Sequence, residues 1–225
     1  MMKLGNRYEF HTHTLLSDGE LLISEHVRRA ENLGYEVISI TDHADVTNID
    51  EILSKIGEFI KSEGQYYKIK VLPGVELTHV PPQMINELAE YSKAKGAKIV
   101  VVHGETIVEP VALKTNLYAV KSKYVDILAH PGLITEEEVK LAVENNVYLE
   151  LSARKGHSLT NGHVAKLASK FGANMLVDTD AHSPDDFISQ EFAYKVALAS
   201  GLNSEQAYKV VSLNPLNFIK KILDL

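Results

Sequence analysis

Two short stretches, near opposite ends of the chain, carry paired groups suited to binding a metal: His11 with His13, and Asp180 with His182. Each pair is spaced i, i+2, which in extended chain points both side chains to one side, as two ligands of one ion require. Further imidazoles and acids follow short apolar runs between them: Asp42 and His43 after Val37–Ile40, Glu76 after Ile69–Leu72, His103 after Ile99–Val102, and His130 after Val125–Leu128. A histidine or acid buried at a strand end without a partner costs on the order of several kcal/mol. Recurrence at strand after strand demands a shared explanation, and metal coordination supplies one. The chain has ten histidines, 30 Asp plus Glu and no cysteine, so such a site is built from imidazole and carboxylate. Glu76 is the only glutamate ending one of the first five strands, and its two oxygens suit bridging between ions, which stand ~3.5–4 Å apart in two-metal hydrolases. Such ions lower the pKa of bound water, and a bridging hydroxide is placed to attack phosphorus in line.

The elements that must position these groups are legible as alternating strands and helices. Nearly continuous apolar runs at Tyr8–His11, Val37–Ile40, Ile69–Leu72, Ile99–Val102, Val125–Leu128, Val147–Leu151 and Met175–Val177 suit strands buried on both faces of a parallel sheet. Between them, Ile49, Ile52, Leu53, Ile56, Phe59 and Ile60 recur at three- and four-residue steps and fill one helical stripe. Gly34, Gly64, Gly96 and Gly172 precede strands where left-handed helix C-caps would sit. Thr135 with Glu138 is a capping box, and Pro184 with Asp185 and Asp186 suits a first helical turn. The pattern predicts a seven-unit α/β barrel. An open doubly wound sheet has the same local signals but would spread the polar strand ends along a line, whereas a barrel gathers them on its C-terminal face.

The motifs themselves resemble the PHP superfamily, named for polymerase and histidinol phosphatase. They run in order as His11-Thr-His13 with Ser17-Asp18-Gly19, Thr41-Asp42-His43, Gly74-Val75-Glu76, Val102-His103-Gly104, Ala129-His130-Pro131-Gly132 and Asp180-Ala181-His182, covering the chain from about residue 8 to Asn214-Pro215. The resemblance implies a distorted, TIM-like (β/α)7 barrel as a single domain over 1–225, with three divalent metal ions at the C-terminal ends of the strands, and hydrolysis of phosphoesters. It assigns His11, His13, Glu76 and Asp180 to one ion, Glu76, His103 and His130 to a second, and Asp18, His43 and His182 to a third. The third ion would hold a phosphoryl oxygen or the leaving alkoxide, with His182 or a metal-bound water as proton donor. Zinc, manganese and iron all suit these ligands.

Other polar residues receive lesser roles. Arg154, beyond the ligand-poor sixth strand with its Glu150 and Ser152, offers a planar fork for two phosphate oxygens, and Lys155 stands beside it; the alternative for both is a solvated loop charge. His79 reads as a substrate contact, as support for a ligand, or equally as an ordinary loop histidine. Asp42 is expected to make a structural hydrogen bond, His157 to lie in a solvated loop, and His26 and His163 to occupy outer helix faces. The leading expectation is a phosphatase acting on a small phosphorylated substrate resembling histidinol phosphate. A nuclease or phosphodiesterase on nucleotides or oligonucleotide ends is the alternative. An amidohydrolase is weaker, because Lys70 and Lys98 sit at strand starts and Glu76 takes the bridging place; a non-catalytic metal-binding domain is weaker still. Net charge of −7 and few aromatics argue against an extended nucleic-acid surface. With 45% apolar residues and no apolar run approaching a membrane span or a leader, the expectation is a cytoplasmic protein with no membrane partner. Oligomeric state is not encoded in any of these features.

Overall fold

The computed structural model describes residues 3–223; Met1, Met2, Asp224 and Leu225 of the expected 1–225 span lie outside the described residues. Seven parallel strands form one sheet in chain order: β1 (Arg7–Glu9), β2 (Tyr35–Ile40), β4 (Lys70–Leu77), β5 (Ile99–His103), β6 (Ile127–Ala129), β7 (Tyr148–Ser152) and β8 (Met175–Asp178), with the two-residue β3 (His43–Ala44) pairing only with β4. Helices α1 (Ile23–Asn32), α2 (Ile49–Ser62), α3 (Ile85–Ala94), α4 (Thr115–Lys121), α5 (Glu136–Glu144) and α6 (Asn161–Phe171) make the crossovers, and α7 (Gln190–Ala199), α8 (Ser204–Tyr208) and α9 (Asn214–Leu223) follow the last strand. The result is a nearly closed TIM-like α/β barrel. Every residue of β5, β6, β7 and β8 is buried, which is why their sequences read as continuous apolar runs.

The barrel closes between β1 and β8 without a continuous ladder. One parallel bridge, Thr12 to Ala181, joins the two at the rim. Lower down, side chains do the work: Phe10 N donates to Asp178 Oδ1 at 3.0 Å, Thr179 N to Glu9 Oε1 at 2.9 Å, and Arg7 Nη1 to the Val177 carbonyl at 2.9 Å. Inside, Tyr8, Phe10, Val37, Leu72, Ile99, Ile127, Tyr148 and Leu176 form an apolar core distinct from the larger one under the helices. Phe218 of α9 joins it, its ring 4.7 Å from Phe10 and 4.8 Å from Tyr148. Ile99, Ile127 and Tyr148 begin their strands, so α9 seals the N-terminal end and leaves the opposite rim to the polar residues.

Several local expectations change. The third apolar run does not stop at Pro73: β4 continues to Leu77, with β2 pairing its first half and β3 its second. Gly74 makes that change of partner possible, since a Cβ there would lie 2.7 Å from Thr41 Cγ2 and 2.8 Å from the Ile99 carbonyl. Glu76 is therefore held within a strand, not after one. Gly34, Gly96 and Gly172 take positive φ as expected of C-caps, while Gly64 instead opens a 3-10 turn. Pro184–Asp186 is a lone 3-10 turn, and α7 starts at Gln190 with Ser189 as its cap. His26 is a clear correction: it is fully buried on the inner face of α1 against Phe187, not on the outer face.

Candidate metal centre

The strand ends converge. His11 and His13 leave β1 with their Nε2 atoms 3.1 Å apart, and Glu76 and Asp180 reach between them. His11 Nε2 lies 3.3 Å from Glu76 Oε1, His13 Nε2 is 3.1 Å from Asp180 Oδ1, and His43 Nε2 is 3.0 Å from Glu76 Oε2. His130 Nε2 stands 3.7 Å from both Glu76 Oε1 and Asp180 Oδ2. Half-exposed Asp18 faces His182 at 3.2 Å, His43 at 3.6 Å and His13 at 3.8 Å. One donor from each of His13, Asp18, His43 and His182 falls within a common 4.8 Å limit, as do those of His11, His13 and Asp180, and of His11, Glu76 and His130. Of the set expected for a second ion, Glu76 and His130 group with His11, and His103 and His130 group with His157, while His103 Nε2 also lies 3.1 Å from Glu109 Oε2.

The donors fit divalent ions. Spacings of 3.0–3.8 Å match donors that share an ion at bond lengths of ~2.0–2.2 Å. Buried Glu76 Oε1 and His13 Nδ1 have no hydrogen-bond partner, a costly state for polar atoms that a cation relieves at the carboxylate. His130 and Asp180 both hold positive φ, 26° and 51°, backbone strain of the kind that gathers at functional sites.

Residues behind the donors hold them in place. Glu150, from the middle of β7, accepts or shares a proton with His11 Nδ1 at 2.5 Å, which fixes that ring with Nε2 turned to the rim. Asp42 takes hydrogen bonds from Thr14 N at 2.7 Å, Thr14 Oγ1 at 2.8 Å and Ser17 Oγ at 2.7 Å, tying down the loop that carries His13 and Asp18. Its hydrogen-bonding role is thus met, through a loop rather than an imidazole. Arg154 enters the cluster: Nη1 donates to the Asp180 carbonyl at 2.9 Å and contacts His182 Nδ1, and Nε lies 3.7 Å from Asp180 Oδ2. Exposed Lys155 does not reach the cluster, but lines a cleft of about 480 Å³ beside it with Arg154, Asp185 and Phe192.

His157 departs from the solvated-loop expectation. It is buried, stacks on His130 with ring centroids 4.1 Å apart, and bonds Thr106 Oγ1 through Nδ1 at 2.8 Å. Sequence reading also passed over Glu109 and the role of Glu150. Glu109 lies in a polar loop with no periodic signal, whereas an acid inside the apolar run Val147–Leu151 was a legible anomaly. His163 is half-buried and bonds the Ile134 carbonyl at 2.7 Å.

Burial and charge set the protonation states. Burial pulls His11 down, but Glu150, Glu76 and Asp180 outweigh it and leave its imidazole well above the ordinary value. Burial holds His13 well below its ordinary value, with neighbouring imidazoles adding to the effect. Burial would raise Glu76, yet His11 and His103 keep its carboxyl well below the usual range. His43 resists burial through Glu76 and rises to about 9. Burial raises both Asp180 and Glu150. So dense a group of mutually perturbing acids and imidazoles is the electrostatic mark of a functional cleft.

Comparison with known proteins places this rim in a family. A model of RNase P subunit p30 matches residues 8–223. The chain belongs to the RNase P subunit p30 family. An uncharacterized protein of Methanocaldococcus jannaschii is 48% identical over 218 residues, 96% of this chain and all of that protein. A probable phosphatase of Clostridium botulinum is 28% identical over 187 residues, 76% of this chain and 77% of its own. A chain from an archaeal ribonuclease P structure with mature tRNA shares the fold of this p30-family protein at a TM-score of 0.70 and 20% identity, covering 96% of this chain and 90% of that one. A Lactococcus lactis histidinol phosphate phosphatase complexed with zinc, L-histidinol and phosphate follows at 0.56 and 15%, covering 96% and 94%. The expectation of a small phosphorylated partner and no extended nucleic-acid surface is overturned by the p30 family match and the RNase P neighbour. The physical reason is that net charge averages over the whole surface, whereas nucleic-acid contacts are local. Among the described residues, no helix of this p30-family chain is long and apolar enough to cross a membrane.

Proposed function

We propose that this chain, acting as one PHP-type domain in the cytoplasm, is a metal-dependent phosphoesterase whose substrate is a phosphate ester at the end of an RNA strand, and that its partners are RNA and other protein subunits. The observation that carries the chemistry is the convergence of His11, His13, Asp18, His43, Glu76, His130, Asp180 and His182 on one rim, with Glu76 Oε1 unsatisfied at its centre. The p30 family match supports the choice of RNA.

His11, His13 and Asp180 would hold one divalent ion, Glu76 and His130 a second, and Asp18, His43 and His182 a third, with zinc, manganese and iron all compatible. Bound there, the ions supply a water of lowered pKa and a sink for phosphoryl charge. The chain's own residues do the rest. Arg154, anchored through Nη1 to the Asp180 backbone, keeps part of its fork free for a phosphate oxygen, and Lys155 draws the strand's next phosphate along the adjoining cleft. His182, beside Asp18 at the outer edge, would serve the third ion through Nε2, and the departing oxygen takes its proton from solvent at that open edge. The apolar barrel below excludes water from the reacting groups.

The test is to reconstitute metal-free protein with zinc or manganese and follow end-labelled RNA oligonucleotides, with histidinol phosphate as comparator. Release of phosphate or terminal nucleotides from RNA, abolished in Glu76→Gln, is the expected result. Turnover of histidinol phosphate alone, or no turnover of either, overturns it.

A further inference from the structure

The cleft of about 480 Å³ beside the rim falls within the ~300–1,000 Å³ usual for small-ligand sites. Arg154 and Lys155 come to it from the chain after β7, and Asp185, Phe187 and Phe192 from the chain after β8. Arg154 joins it to the rim through its Nη1 on the Asp180 carbonyl. Of the six phenylalanines, Phe192 alone is exposed, at 50%. Its backbone is fixed: Phe192 N donates to Ser189 Oγ at 3.2 Å in the cap of α7, and Tyr35 Oη donates to the Ile188 carbonyl at 2.8 Å. Phe187 is taken up in packing against His26 and Tyr35, with ring centroids 4.8 and 6.1 Å away. Asp186 is engaged too, its Oδ2 accepting from His182 N at 2.9 Å and Ser183 N at 2.7 Å. Asp185 beside it is exposed and free of such contacts among the described residues. An isolated exposed phenylalanine needs no explanation. One that shares a cleft with two cations and an open carboxylate, next to a metal centre, offers what a nucleotide needs: a flat face for the base, positive charge for phosphate and an acceptor for an amino group.

We propose that this cleft holds the nucleotide next to the scissile ester, its base stacked on Phe192 and, where the base carries an exocyclic amino group, hydrogen-bonded to Asp185. A phosphate set against Asp185 would be repelled, so a carboxylate in this cationic cleft fits the donor edge of a base rather than the backbone. Adenine, cytosine and guanine carry such a group and uracil carries none, so the site favours those three. Stacking accepts any base, and Asp185 adds the preference. Arg154 then serves the reacting phosphate, Lys155 the next one, and Phe192 with Asp185 the base between them. A surface phenylalanine that meets no ligand is the competing account, and it makes no distinction among RNA ends.

The proposal rests on the reading of the chain as a phosphoesterase acting on RNA ends, so the experiment reads binding rather than turnover. Short RNAs carry 2-aminopurine as the base next to a terminal phosphorothioate that slows cleavage. Their fluorescence is recorded on titration with zinc-loaded full-length protein, as wild type, Phe192→Ala, Phe192→Tyr and Asp185→Ala, with melting curves to show that each variant folds. Unlabelled RNAs ending in each of the four bases, or in an abasic unit, serve as competitors. Wild type is expected to quench the probe. Phe192→Ala should lose the quenching and bind about 5- to 100-fold more weakly, Phe192→Tyr should restore both, and the abasic competitor should bind wild type and Phe192→Ala alike. Asp185→Ala should keep the quenching but lose a preference of about 2- to 10-fold for amino-bearing bases over uracil. Binding by wild type without quenching, or unchanged affinity in Phe192→Ala, overturns the base site alone, and equal competition by all four bases overturns the Asp185 contact. Wild type that binds no RNA overturns this site and the RNA reading together. Wild type that binds and quenches yet leaves an ordinary RNA end intact overturns only the phosphoesterase.

Discussion

His11 shows how much one supporting contact decides. Its Nε2 can serve an ion only if the ring is held, and Glu150 holds it through Nδ1 at 2.5 Å in a fully buried setting. Glu150→Gln keeps the shape and removes the charge, so zinc affinity should fall about 10- to 100-fold with the fold retained, as chelator competition would read; an unchanged affinity removes Glu150 from the centre. Arg154→Ala should raise the KM for RNA more than it lowers kcat, because its free fork binds a phosphate present before and during reaction; steady-state kinetics at fixed metal would show an equal KM if the fork touches no substrate. The rim donors were legible because paired His and Asp at i, i+2 spacing, or an acid closing an apolar run, are rare unless shared work explains them. Glu109 was not, because nothing in Gly104–Lys114 sets one carboxylate apart from an ordinary loop charge. His157 was misread for a related reason: burial of a loop residue depends on packing against His130 from a different unit, which no local pattern records.

At the scale of elements, α1 carries a hidden cost. His26 is buried beside Phe187 with neither ring nitrogen hydrogen-bonded, and burial, aided by His182, lowers its pKa to about 3. Above pH 6.5 the ring is neutral in both folded and unfolded chains and adds no pH dependence. Below that, the unfolded chain takes up a proton that the folded one refuses, so stability falls by about 1.4 kcal/mol per pH unit until pH nears 3. Between pH 7 and pH 5 wild type should lose about 2 kcal/mol more than His26→Leu in urea melts, and parallel losses would mean that the ring finds a proton partner when folded. His26 was correctly placed on a helix, yet assigned to its outside because a histidine is polar by type. The same limit shortened β4, where Pro73-Gly74 reads as a turn while the structure uses it to exchange β2 for β3 as neighbour. By contrast, the strands buried on both faces and the Thr135–Glu138 capping box needed no tertiary knowledge, since the structure shows that box closed in both directions at 3.3 and 2.8 Å.

For the whole molecule the weak place is the seam between β1 and β8. Hydrogen bonds from Arg7, Phe10 and Thr179 span its lower part, while at the rim it is joined by the Thr12–Ala181 bridge, with His13 N donating to the Ala181 carbonyl at 2.9 Å, and by Glu20 N donating to the His182 carbonyl at 2.7 Å. The donors on either side of that seam are His11 and His13 on one strand end and Asp180 and His182 on the other, so an ion they share staples the barrel shut. The same donors repel or desolvate one another without it, as the unpartnered Glu76 oxygen and the burial-raised Asp180 attest. Binding that favours only the folded state adds about 2.7 kcal/mol per site at a free ion concentration of 100 Kd, which for a chain of this size corresponds to roughly 5–10 °C in Tm. Chelation should therefore lower Tm by at least that amount, and amide exchange should quicken first at residues 12–14 and 180–182 while the β4–β5 ladder stays protected. A Tm indifferent to chelation, or exchange that quickens evenly around the barrel, would show that the seam is closed by protein contacts alone and that the rim's acids and imidazoles are balanced without an ion.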